Sequence, residues 1–121
     1  MTSHSGGYRA LAHTLDRGGL TDHVTQVILL DSVYDNLSQF EAYARSGGRM
    51  AVVYTDNAGT LGNSQHMAND LRALKPFDDR TYSTLTDAQF DAPLLFKRSA
   101  LSHDGTAQYY FVRLLAHAGF R

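Results

Sequence analysis

The stretch Ser3-His4-Ser5-Gly6-Gly7 decides how the rest of the chain is read. It follows the pattern small-x-Ser-x-Gly, in which a serine occupies the tip of a sharp turn from a strand into a helix and small neighbours let the backbone pass closely. Ser5 is therefore a candidate nucleophile. The N–H of Gly6, next in the chain and at the start of a helix, is a candidate donor to a developing oxyanion. A strand should enter such a turn, and only Met1 and Thr2 precede it, so the entering strand reads as missing.

Outward from this turn, short apolar runs alternate with helical patterns, which is the signature of βα units and a parallel sheet. Tyr8, Leu11, Ala12 and Leu15 share one helical face, and Gly18-Gly19 stops that helix. Residues 24–30 are too short and too continuously apolar for a surface helix and suit a strand buried on both faces. Asn36 with Gln39 three residues on reads as a capping box for a helix carrying Leu37, Phe40 and Ala44, ended by Gly47-Gly48. A second buried strand follows at residues 50–54. Beyond a Gly- and Asn-rich loop lies a helix with Met67, Leu71 and Leu74 on one side, closed by Pro76. Residues 78–91 are poorly patterned, with a short strand expected near 81–85. Residues 94–97 read as another strand, and 107–118 as a last helix burying Tyr110, Leu114 and Leu115. The expectation is an α/β three-layer sandwich with a mainly parallel sheet of three to four strands.

Composition narrows the function. The chain has 121 residues, 43% of them hydrophobic, and a formal net charge of -1, which fits a single domain over residues 1–121. The absence of cysteine excludes disulfides and thiolate zinc sites. Lys and Arg are scattered and form no basic stripe, so no nucleic-acid partner is expected. No apolar run reaches the ~20 residues of a membrane span, and the default compartment is the cytoplasm. The six histidines include no pair at the i, i+4 spacing of a helical ligand motif, so no metal is expected. The loop from Asn57 to Asn63 lacks the lysine of a phosphate-binding loop, and no cofactor is expected.

Ligands of a parallel sheet meet the loops at the C-terminal ends of its strands. Those loops carry Ser5, Asp31, Asp56 and His103, in that order. A serine hydroxyl becomes a nucleophile when a neutral imidazole removes its proton, and a carboxylate on the other ring nitrogen fixes the tautomer. Serine, acid and histidine in this order on one sheet edge are the parts of a catalytic triad. Either Asp31 or Asp56 can serve as the acid, and each can equally be an ordinary turn-former or helix cap.

Four stretches together, Ser3-His4-Ser5-Gly6-Gly7-Tyr8, Val27-Ile28-Leu29-Leu30-Asp31-Ser32, Val52-Val53-Tyr54-Thr55-Asp56 and His103-Asp104-Gly105-Thr106, make the chain resemble the C-terminal half of an α/β-hydrolase-fold protein. The resemblance implies a serine hydrolase acting on a small-molecule ester or amide through Ser5, Asp31 and His103, with Asp56 as the alternative acid. It favours Asp31 because Leu-Leu-Asp-Ser is the closer match. Ser3 replaces the usual leading glycine of the elbow. The family's first strands, which supply the second oxyanion donor, have no counterpart, so the expectation is a truncated hydrolase, inactive as it stands. Without an elbow strand, residues 24–30 would form an exposed sheet edge that pairs with a second copy or a partner chain. A non-catalytic interaction module built on that edge is the alternative reading.

Overall fold

In the computed structural model, which describes residues 1–118, the alternating runs form one parallel sheet of five strands in the order β1-β2-β3-β5-β4. The strands are β1 (Thr2–His4), β2 (Gln26–Leu30), β3 (Arg49–Tyr54), β4 (Phe77–Asp79) and β5 (Leu94–Arg98). The helices are α1 (Tyr8–Arg17), α2 (Leu37–Arg45), α3 (Leu61–Asp70), α4 (Asp87–Phe90) and α5 (His103–His117). The period of two along each strand divides the core cleanly. Val27, Leu29, Met50, Val52, Leu94 and Phe96 face α1, α2 and α3, which contribute Leu11, Leu15, Phe40 and Met67. Ile28, Leu30, Ala51, Val53 and Leu95 face the other way, against Phe90 of α4 and Tyr110 and Leu114 of α5. Helices thus cover both faces of the sheet, and the central strands read as continuous apolar runs for that reason.

The elbow strand is present, which corrects the expectation that it is missing. Ser3 and His4, read from sequence as part of the turn, belong to the strand: Thr2 pairs with Ile28, Ser3 with Leu29 and His4 with Leu30. The pairing is extended by the Ile28 N–H donating to the Met1 carbonyl at 2.9 Å and the Met1 amino group donating to the Gln26 carbonyl at 2.6 Å. Residues 24–30 are therefore not a sheet edge. The edges are β1 and β4, each only three residues long.

The strand count exceeds the three to four expected because β1 was read as missing and β4 was not foreseen. Phe77-Asp78-Asp79 has little β-propensity of its own. It is held outside β5 by the fully buried Lys97, whose Nζ donates to Asp79 Oδ2 at 2.8 Å and to the Thr81 carbonyl at 2.9 Å. Residues 81–85 form no strand. The capping box also moves. Asn36 has φ 61 and no side-chain cap bond, whereas Gln89 Oε1 accepts from the Thr86 N–H at 2.8 Å at the start of α4. Leu74 lies beyond the end of α3 and is exposed. The last helix begins four residues earlier than its apolar pattern, at His103, because Ser102 caps it by accepting from the Gly105 N–H at 3.1 Å.

Candidate functional site

Ser5 sits immediately beyond β1 with φ 53, in the left-handed region. A non-glycine residue there carries ~1–3 kcal/mol of backbone strain, which the surroundings must impose. A single 3-10 turn, Ser5–Gly7, leads from it into α1. The close passage that the small-x-Ser-x-Gly pattern requires is visible in the backbone: a Cβ on Gly7 would lie 3.4 Å from Cβ of Ser3. Ser32 fastens the turn from β2's side, its hydroxyl donating to the Ser5 carbonyl at 2.8 Å and lying 2.8 Å from the Ser3 hydroxyl.

Asp31 follows β2 directly, also with positive φ, 47, and is fully buried. A buried carboxylate needs several donors, and this one has four. Oδ1 accepts from the Thr55 N–H at 3.0 Å and from the Thr60 hydroxyl. Oδ2 accepts from the Thr55 hydroxyl at 2.6 Å and lies 2.7 Å from His103 Nδ1. Burial pushes the Asp31 carboxyl up, but the bonds from Thr55, Thr60 and His103 outweigh it and hold the group below its ordinary value. An ionised Asp31 places the proton of a neutral His103 on Nδ1 and leaves Nε2 as the acceptor.

His103 is the first residue of α5 and about one-third exposed. Its ring lies over that of His4, centroids 4.3 Å apart at 33°. His4 is the residue before Ser5, so β1, β2 and α5 bring Ser5, Asp31 and His103 to one rim of the sheet. Among the described residues no hydrogen bond joins Ser5 Oγ to His103, whose bonded partner is Asp31. Such a contact commonly forms only with substrate bound.

Asp56, the alternative acid, is placed elsewhere. Arg98 grips it through Nε at 2.8 Å and Nη2 at 2.6 Å, and the Tyr82 hydroxyl donates to it at 2.5 Å. These bonds lower its pKa to about 2. Asp56 makes no hydrogen bond to His103.

Gly6 is exposed next to Ser5, and both line a shallow cavity of about 400 Å³ with Tyr8, Arg9 and Tyr34. Burial and the charge of Asp31 raise the Tyr34 phenol above its ordinary value. The sequence reading missed Thr55, Thr60 and Ser32 as supports. Their only signal is position, since each follows a strand or sits in the loop crossing over it. It missed His4 as well. One ring nitrogen each from His4 and His103 and a carboxylate oxygen of Asp104 lie within 4.8 Å of one another, a grouping that helical spacing rules cannot find because it joins the two ends of the chain. No family model, curated protein or solved structure matches the chain.

Proposed function

We propose that this protein is a serine hydrolase-like protein built on the C-terminal half of an α/β-hydrolase fold, acting on an ester or amide. The Ser5 hydroxyl attacks the carbonyl carbon. His103 Nε2 takes its proton and then delivers it to the leaving group, while Asp31 stabilises the imidazolium and Gly6 N–H donates to the oxyanion. Water, activated by the same imidazole, then releases the acid from the acyl-serine. The observation that carries this reading is the 2.7 Å bond between the buried Asp31 and His103, whose ring lies over that of His4, the residue before a serine held at positive φ. Buried carboxylate, oriented imidazole and strained serine on one rim are three independent requirements of the same chemistry.

The test is covalent labelling by a fluorophosphonate. Labelling of the wild-type protein that disappears in Ser5→Ala supports the reading. A folded wild-type protein that takes no label, or a Ser5→Ala variant that labels equally, overturns it.

A second reading has its own observation. A largely apolar groove of about 500 Å³, lined by Thr2, His4, Leu30, Ala107, Gln108 and Phe111, runs beside the unpaired edge of β1. An interaction module that pairs with a second copy along that edge would use it. Absent labelling together with a dimer in sedimentation experiments favours the module.

A further inference from the structure

We propose that His4, His103 and Asp104 form a site for a borderline divalent metal ion of the Zn2+ type, with Asp31 as the carboxylate that orients His103. Three features of the cluster converge on this. His4 Nε2 is buried without a hydrogen-bond partner, and the nearest acidic group is Asp104, whose Oδ1 lies 4.0 Å away. A buried nitrogen without a partner is unfavourable, and a cation bound to its lone pair would relieve that. His103 has Nδ1 committed to a carboxylate, so Nε2 is the nitrogen it offers. Histidine ligands of zinc are regularly held in this way, the second nitrogen donating to a carboxylate that fixes the tautomer and raises ligand basicity.

The third feature is reach. The three ligand atoms lie within 4.8 Å of one another, and donors around a tetrahedral zinc are about 3.4 Å apart. Asp104 is largely exposed on the first turn of α5, so its side chain can swing inward without disturbing the core. Two imidazoles and one carboxylate are a donor set zinc accepts, leaving the fourth position for water. His4 and His103 come from β1 and α5, so the ion would tie the start of the chain to its last helix.

On the hydrolase reading, a bound metal would also act on the triad. The metal and the serine proton compete for the same lone pair on His103 Nε2, so Zn2+ would shut the triad off and protect Ser5 from the fluorophosphonate.

The site is tested without reference to activity, by titrating Zn2+ into tag-free protein in a calorimeter and recording the visible spectrum of the Co2+ form. The expected result is one Zn2+ per chain, tetrahedral ligand-field bands with Co2+, and a loss of affinity of at least ~10-fold in His4→Ala and in Asp104→Asn. His66→Ala, which removes the imidazole of a surface His66–Asp70 pair on α3, leaves the affinity unchanged. Asp104 is exposed, so its variant keeps the test meaningful even where His4→Ala perturbs β1. Equal affinity in wild type and Asp104→Asn, or a Co2+ spectrum of purely octahedral character, overturns the proposal. The same titration on Ser5→Ala should give wild-type affinity, so a failed metal site and a failed nucleophile are read separately.

Discussion

Asp31 and Asp56 occupy comparable places, each just past the C-terminal end of a central strand, yet they are held in opposite ways. Asp31 is buried and satisfied mainly by uncharged donors, two threonine hydroxyls and a backbone N–H, which leaves one oxygen to face an imidazole. Asp56 is exposed and gripped by a guanidinium in a two-point bond. An acid neutralised by arginine ties β3 to the end of β5. An acid solvated by neutral dipoles keeps its charge available to stabilise a cation on histidine, and on the proposed reading this separates a chemical role for Asp31 from a structural one for Asp56.

The sharpest way to break the comparison is to remove each charge while keeping shape. On the proposed reading, Asp31→Asn should slow fluorophosphonate labelling by as much as ~10⁴-fold, the scale seen when the triad aspartate of a serine protease is made neutral. The amide leaves the imidazole in the wrong tautomer. Asp56→Asn should leave the labelling rate within about twofold, because among the described residues its side chain hydrogen-bonds to Arg98 and Tyr82 and forms a surface ion pair of small energetic weight. Time courses of labelling at fixed probe concentration measure both. Equal losses in the two variants would mean that Asp31 acts through the fold alone.

The second contrast is in stability. Asp31→Ala strands the Thr55 N–H and the hydroxyls of Thr55 and Thr60 in a buried site. Unpartnered buried groups of this kind cost ~1–3 kcal/mol each, so about 3 kcal/mol in all is expected after relaxation. For a domain of this size that lowers the melting temperature by on the order of 10 °C. Asp56→Ala, made at an exposed position, should shift it far less. Calorimetric melting of the two variants beside wild type decides, and a smaller loss for Asp31→Ala than for Asp56→Ala would contradict the burial argument.

How much of this was legible in the sequence follows from the range of the interactions. The elbow was legible because its requirements are local: small residues at positions 3 and 7 around Ser5 follow directly from the close passage of the backbone. Strands β2, β3 and β5 were legible because burial on both faces demands unbroken apolar runs. Strand β4 was not, since Asp79 is in the sheet on account of a lysine 18 residues away. The choice between Asp31 and Asp56 also turned on distant partners. Arg98 claims one, and Thr55, Thr60 and His103 claim the other, and no local pattern around either aspartate announces them. The start of β1 was misread for a related reason. Three residues with no apolar pattern of their own form a strand because β2 offers a ready-made parallel edge.

The finest contrast is in pH dependence. Bonds from Arg98 and Tyr82 hold the Asp56 carboxyl at about 2, below the ordinary aspartate value of about 3.9. A group depressed on folding contributes stability that is fully present above its unfolded pKa and is lost as pH falls through its folded pKa. The difference in melting temperature between wild type and Asp56→Asn should therefore be constant from neutral pH down to about 5 and shrink between about 4 and 2. The difference is small throughout, because the pair is open to solvent and screened by salt. Raising the ionic strength should shrink it at neutral pH as well. A gap that persists unchanged down to pH 2 and in high salt would show that Asp56 stabilises the rim by something other than its charge on Arg98, and the contrast with Asp31 would then have to be drawn on burial alone.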